Sequence, residues 1–496
     1  MRSLIAYIDT AVVGVLREDE DLWQFEYDAT WMAAPNGYDL APGLPRAQGR
    51  HMDGGSTRPV QWYFDNLLPE ETLRQAISKE ARVKGSDAFA LLAYLGAESA
   101  GSLTLLPPGT LPDGKPRIRE LSDQTLSRRI ADLPTQTLAA RAPKRMSLAG
   151  AQNKLLVVYQ DGMLYEPEGA TASTHILKPN HPDKRAYPAS VFNEYLTMRL
   201  ARAAGLPTPN VHVRYVPEPV YIVDRFDRVV TQQSNDRDGP PEIDVKRLHI
   251  IDACQLLNRS RVFKYNGASL DALKEIIDKT TNKLHTRTRL FRWLVFNVLL
   301  ANDDCHLKNL SFFVAADGVK LTEHYDLLGT GAYYTKAIAQ EKASWPEVRM
   351  AIALPGAESF GKVTKESILA AGEALGVRRP AAQRILAEVV KRVPPALTKE
   401  RDAFLGHFPE RFCTWQRNGH SHLRPTRFFL SDRLRVISAG AEQVIVLGQP
   451  DAICSDEERQ VFQMAVIVCQ QDVKHQPAKQ LGPGVQFVGR LVNDFL

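Results

Sequence analysis

Asn302-Asp-Asp-Cys-His-Leu-Lys-Asn309 is the stretch on which the reading of this chain turns. It follows a run from about Arg287 to Leu300 in which Leu290, Phe291, Trp293, Leu294, Val295, Phe296, Val298 and Leu299 leave almost no polar side. A helix apolar nearly all round is predicted to be buried. A buried helix that opens into a loop with two carboxylates and two asparagines presents oxygen ligands from a rigid base. Downstream, Leu310–Val314, an Asp317-Gly318 turn and Val319–Leu321 predict a β-hairpin. His324-Tyr-Asp326 then supplies a further carboxylate.

Phosphoryl transfer needs such a set. A carboxylate orients or deprotonates the attacking hydroxyl, oxygen ligands hold magnesium, and a cation neutralises the triphosphate. Asp304 and Asn309 stand five residues apart, the separation of the base and the metal-binding Asn in the kinase loop H-R-D-x-x-x-x-N. Asp326 then falls where the Asp of D-F-G would. Any one of these residues alone reads equally well as a loop cap or a turn. Together and in order, they point to a kinase-type centre.

Three upstream pieces fit around it. Alternation along the strand Thr174–Lys178 puts Ile176 and Lys178 on one face, with His175 and Leu177 on the other. Sixteen residues later Glu194 lies in the first turn of an amphipathic helix that Ser190 is placed to cap. A strand Lys held by a helix Glu is the kinase arrangement, although Lys178 alone would read as a solvated strand end. Next, Ser147-Leu-Ala-Gly150-Ala151-Gln152 has small residues suited to backbone amides approaching phosphate. It is neither a G-x-G-x-x-G nor a P-loop, and an ordinary glycine turn fits it as well. Finally, Asp224-Arg-Phe226-Asp-Arg228 leaves an apolar strand where a nucleotide hinge would run, or is a charged strand exit.

The pattern divides the chain into a mixed α/β region (1–110), a strand-rich nucleotide-binding lobe (111–228), a helical catalytic lobe (229–410) and an extension (411–496). This predicts an α+β, bilobal, protein-kinase-like fold. Residues 106–117 read as a linker and 231–246 as a polar loop. The extension, with its Arg- and His-rich run from 417 to 435, carries no assignable function. It reads as an appended module or the product of a shifted frame.

Composition excludes several classes. Sixty-two basic against 57 acidic residues leave a net charge of +5 on 496 residues, too slight for a dedicated nucleic-acid binder. Five scattered cysteines with no C-x-x-C pair suggest no disulfide framework or zinc finger, and a reducing cytoplasm is expected. The longest apolar stretch is broken by Arg292 and Asn297, and the N-terminus reads as a strand, so no membrane association is expected.

These pieces together resemble the HipA toxin kinases of bacterial toxin–antitoxin pairs. The likeness runs through Val13-Gly14, Phe64-Asp-Asn-Leu-Leu-Pro69, Gly101-Ser-Leu-Thr-Leu105, Ser147–Gln152, Thr174–Lys178, Asn193-Glu-Tyr195, Asp224–Arg228, Cys254-Gln255 and Asp304–Asn309, over about residues 1–410. The resemblance implies an ATP- and Mg2+-dependent serine/threonine kinase. Asp304 would be the base, Asn309 and Asp326 the Mg2+ ligands, and Lys178 the phosphate-binding lysine. Asp224 and Phe226 would lie at the hinge, and Ser147 would be the autophosphorylated serine. His306 and Lys308 match loop positions that serve packing or phosphate contact, with packing the better reading for His306. It also implies a HipB-like helix-turn-helix antitoxin as partner, DNA contact only through that partner, and an aminoacyl-tRNA synthetase, the glutamyl enzyme, as substrate type. Cys305 departs from the Gly or Asp often found there and leaves Asp303 as a rival base. A small-molecule kinase of the same fold, or a degenerate binding module, are the competing readings.

Overall fold

Alternating side chains in Arg2–Ile8 turn back at Asp9 (φ 52°) into Ala11–Asp19, and these strands pair from Arg2↔Glu18 to Ile8↔Ala11. They form an opening hairpin, beginning with the strand expected at the N-terminus. The computed structural model describes residues 1–112, 115–147, 149–234, 242–334 and 346–407; the extension 411–496 and Leu148 lie outside the described residues. The chain is a mixed α+β protein made of two compact units.

The first unit comprises Met1–Pro182, Pro209–Thr286 and His306–Tyr325. Its N-terminal sheet runs in the order Arg50–Met52, Leu22–Tyr27, Ala11–Asp19, Arg2–Ile8, Leu103–Leu106. Leu4, Val13, Leu16 and Phe25 are buried, with the Phe64 ring 5.5 Å from Phe25. The helices Glu71–Ala81 and Ala88–Leu95 give the region its mixed character, and Pro59–Asp65 is a further helix whose first amides are capped by the distant Asp53 (2.9 and 3.1 Å).

A second, six-stranded sheet runs Val211–Tyr215, Pro219–Asp224, His175–Pro179, Leu155–Gln160, Met163–Gly169, Pro116–Glu120. Leu155, Val157, Leu164, Leu177, Val220 and Ile222 form its core with Leu121, Leu126 and Leu138 of the segment that crosses it. Two expectations are corrected here. The supposed linker ends in a strand, Pro116–Glu120, paired with Met163–Gly169, because an edge strand tolerates a leading proline. The supposed polar loop is a hairpin, Arg228–Ser234 with Glu242–Arg247. Ile250–Asp252, Ser311–Ala315 and Gly318–Leu321 make a third sheet, which contains the hairpin predicted after the catalytic stretch.

The second unit comprises Asp183–Thr208, Arg287–Cys305 and the chain from Asp326 onward. It is mainly helical: Ser190–Ala203, the greater part of Lys283–Leu299, Lys365–Ala374 and Arg379–His407. Phe291, Trp293 and Phe296 are fully buried, as the apolar run predicts. Ser190 proves to be the first helical residue and not the N-cap; Ala189, at φ 47°, precedes it, so Glu194 sits one residue further into the helix than expected. The last helix continues through Pro394-Pro395. The units do not follow the expected lobe boundaries in the middle of the chain. Residues 183–208 go with the helical unit because the helix Ser190–Ala203 packs on Arg379–His407.

Candidate active site

The catalytic stretch is shaped from within. In the second unit, Asn302 donates its amide to Asn297 Oδ1 (2.7 Å) and accepts the backbone N–H of Asp304 (3.0 Å), so the helix end dictates the position of Asp304. Asp303 is engaged differently. Its N–H donates to Thr330 Oγ1 (2.8 Å), and its carboxylate accepts the Tyr334 hydroxyl at 2.5 Å. Burial and the neighbouring carboxylate push that phenol well above its usual range, so Tyr334 remains a donor. Asp303 is thereby a structural acid, which weakens its claim as rival base. Asp326 holds a left-handed backbone, φ 55°, uncommon outside glycine but tolerated by Asp. Three residues on, Gly329 donates to Asn193 Oδ1 (2.8 Å) and accepts from Asn193 Nδ2 (3.1 Å). That pair ties the segment after Asp326 to the helix bearing the buried Glu194.

Cys305 is buried, and burial beside Asp304 and Asp303 pushes its thiol far up, so it is a packing residue without thiolate character.

The first unit holds the other predicted residues. Leu307–Asn309 is a single 3-10 turn with Asn309 buried. Lys308, considered for phosphate contact, is committed elsewhere. Its buried amine donates to Asp252 Oδ2 (2.5 Å) and to Asn66 O and Oδ1 (both 2.9 Å), with Glu70 at 3.6 Å. Burial opposes its charge, but Asp252 and Glu70 prevail and raise its pKa. That correction has a physical reason: an ammonium enclosed by two carboxylates and a carbonyl has no donor left over for a nucleotide. His306 packs edge-on to Tyr265, ring centroids 4.8 Å apart, in line with the packing reading.

Lys178 is buried, paired in register with Tyr221, its amine 5.9 Å from that ring's centroid. The segment around Gly150 (φ 108°) lies against the N-terminal region: Gly150 O accepts from Glu70 N–H (3.1 Å). Ser147 is 1% exposed, its hydroxyl donating to Leu67 O at 2.6 Å and its N–H to Glu98 O at 2.7 Å. Ala151 and Gln152 are half-buried beyond it.

The motif Asp224–Arg228 is more than a charged strand exit. Arg225 chelates Asp227 (2.9 and 2.7 Å), and Arg225 and Arg228 both reach Glu98 (3.2 and 3.1 Å), which also meets Lys144 at 3.2 Å. Glu98 is fully buried; burial alone would raise its pKa, yet Lys144, Arg228 and Arg225 hold it far below the usual carboxylate range. Phe226 packs against the rings of Tyr325 (5.4 Å) and Phe313 (6.1 Å). The carboxylate of Asp224 accepts from Asn210 (2.8 Å), His175 (3.1 Å) and His212 (3.4 Å).

Sequence reasoning missed Asn66, Glu70, Glu98, Asp252 and Lys264 as supports of this machinery. The available signal was the acid-rich, amide-rich run Phe64–Glu70, whose Glu70 also pairs with Lys264 at 2.6 Å.

Two families match the chain: the HipA N-terminal domain over residues 4–106 and the HipA-like C-terminal domain over residues 146–397. The Sinorhizobium fredii protein Y4mE is 34% identical over 348 residues, covering 67% of this chain and 78% of that protein. The serine/threonine-protein kinase toxin HipA of Shewanella oneidensis is 27% identical over 435 residues, 82% of this chain and 93% of the toxin. A solved complex of HipA, HipB and operator DNA from Shewanella oneidensis contains a chain matching with a TM-score of 0.65 and 26% identity, over 80% of this chain and 90% of that one. Matched along its N-terminal and catalytic regions alike, the chain belongs to the HipA family of serine/threonine kinases of toxin–antitoxin systems.

Proposed function

We propose that the chain is an ATP- and Mg2+-dependent protein kinase in which Asp304 is the base, Asn309 and Asp326 hold Mg2+, and Lys178, positioned by Glu194, takes the ATP phosphates. The observation that carries this is the division of labour in the catalytic stretch. Asp303 is bound to Tyr334 and Thr330, while the backbone of Asp304 is fixed by Asn302. The donor set fits a hard cation, since an amide oxygen and a carboxylate are the ligands Mg2+ accepts. When bound, that ion neutralises charge on the transferring phosphoryl group. Gly150-Ala151-Gln152 supplies backbone donors to the phosphates, and Asp224 and Phe226 mark the adenine end. The growth-inhibiting target is a component of translation, an aminoacyl-tRNA synthetase of the glutamyl type being the first to test. The partner is a HipB-like helix-turn-helix antitoxin, through which the chain meets DNA.

Ser147 is the regulatory serine of this reading. A phosphate carrying roughly −1.5 to −2 charge has no room where the hydroxyl now donates to Leu67 O. Phosphorylation therefore expels the loop and ends nucleotide binding.

The test is Asp304→Ala. It is expected to abolish ATP turnover and growth inhibition while antitoxin capture persists; toxicity that survives the substitution sinks the reading. Incubation with ATP should also place phosphate on Ser147 by mass spectrometry.

A further inference from the structure

One cluster of ligand-type side chains gathers on Asp224, and its two histidines take no part in the phosphotransfer chemistry above. Pro219–Asp224 lies between His175–Pro179 and Val211–Tyr215 in the six-stranded sheet. His175 stands directly opposite Asp224 in register, and His212 is paired with Ile222, two residues before it. Both imidazoles are therefore on the same face as the Asp224 carboxylate, one from each flanking strand. Their Nε2 atoms lie 3.1 and 3.4 Å from a single oxygen, Oδ1, and the ligand atoms of all three residues fall within 4.8 Å of one another.

We propose that His175, His212 and Asp224 form a binding site for a late first-row divalent metal ion, Zn2+ foremost, separate from the nucleotide's Mg2+. In a tetrahedral zinc site with bonds of about 2.0–2.1 Å, neighbouring donor atoms stand roughly 3.3–3.4 Å apart. Two edges of that tetrahedron are already present, and only the edge between the histidines has to close. Two imidazoles and a carboxylate suit zinc and its neighbours; Mg2+ demands oxygen ligands throughout.

The surroundings are those of a supported ligand set. Nδ1 of His175 faces both Thr174 Oγ1 (2.7 Å) and the Tyr159 backbone N–H (3.3 Å); binding an ion through Nε2 requires the ring proton to move to Nδ1, where it donates to Thr174 Oγ1 at the expense of the longer Tyr159 contact. Asn210 occupies the other oxygen of Asp224 at 2.8 Å, leaving Oδ1 to the ion. The Tyr159 ring walls the cluster, 5.6 Å from His175 and 5.5 Å from His212. Side-chain exposures of 14%, 42% and 33% for His175, His212 and Asp224 give an ion a way in and a water its fourth position. Strand alternation directs Lys178 to the opposite face of the sheet from His175. A bound ion would clamp three strands where Asp224 leads into the buried Arg225–Arg228 cluster.

The experiment uses the full-length, tag-free chain stripped with a chelator and then titrated with Zn2+ against a chromophoric competitor, and separately with Co2+. One ion per chain is expected, with the intense visible bands of tetrahedral Co2+ and a higher melting temperature in Zn2+. His212→Gln and His175→Gln should each weaken binding by about tenfold or more, at least the loss seen when a metal ligand's supporting partner is removed. His212→Gln, at the most exposed of the three ligands, should melt like the parent when metal-free and gain nothing from Zn2+. The proposal is overturned if the parent binds no ion, or if His212→Gln binds Zn2+ with the parent's affinity and stoichiometry.

Discussion

Lys308 and Asp252 meet at 2.5 Å inside the first unit, one residue before the predicted Mg2+ ligand Asn309. Asp252 is at the same time the N-cap of Ala253–Leu256, in a reciprocal capping box with Gln255. A single buried charge pair thus fixes both the catalytic turn and the short helix beside it.

Breaking that pair from one side should be costly. Lys308→Met leaves the Asp252 carboxylate without its cation while Glu70 keeps Lys264, and one-sided removal of a buried ion costs about 3–5 kcal/mol. The urea midpoint should fall accordingly, and Lys308→Met combined with Asp252→Asn should recover part of the loss.

The two neighbouring aspartates should separate cleanly by activity. Asp304→Asn is expected to lower kcat by about 10²-fold or more, the scale of a lost general base. Asp303→Asn and Tyr334→Phe should cost about 0.5–1.5 kcal/mol of stability, the worth of one hydrogen bond, with activity within severalfold of the parent. Steady-state kinetics beside thermal melts of the three variants distinguish the roles.

Acid should weaken the first unit in two stages. His249 is fully buried against Leu40 O, and burial lowers its pKa to about 4. The unfolded chain therefore binds a proton first, and stability drops as pH falls from about 6.5, the ordinary histidine value, toward 4. Glu98 and Asp227 are held below the usual carboxylate range, so their contribution is intact above that range and is lost as pH falls through it and below. Stability measured against pH should show both limbs, and Glu98→Gln should flatten only the lower one.

Ser147→Asp tests the loop without ATP. A carboxylate cannot donate to Leu67 O, and at a site 1% exposed it has no water to turn to. The expected outcome is a displaced loop, seen as new proteolytic cleavage near residues 144–154, with ATP binding weakened.

Much of this was legible in the residues themselves. The 3.6-residue apolar run marked the buried helix, the Asp317-Gly318 turn marked its hairpin, and strand alternation placed Lys178 opposite His175, because local geometry alone decides each. The strand Pro116–Glu120 was not legible, since its sides are solvent-exposed and only its hydrogen bonds to Met163–Gly169 make it a strand. Nor was the fate of Lys308. Its partners lie 56 residues away at Asp252 and 242 at Asn66, and no local pattern encodes a pairing over such distances. The role of Glu98, a lone acid before Ser99, was hidden for the same reason.

The anchoring of the catalytic turn limits how the enzyme can be dissected. Asn66 and Glu70, which receive the Lys308 amine, belong to the first seventy residues, far from the catalytic stretch in chain order. A truncated chain beginning near residue 111 would keep every group proposed for catalysis and still lack these acceptors. Such a fragment should lose its autonomy as a folded enzyme, because the opening region supports the phosphotransfer apparatus as much as the residues proposed to touch the nucleotide do.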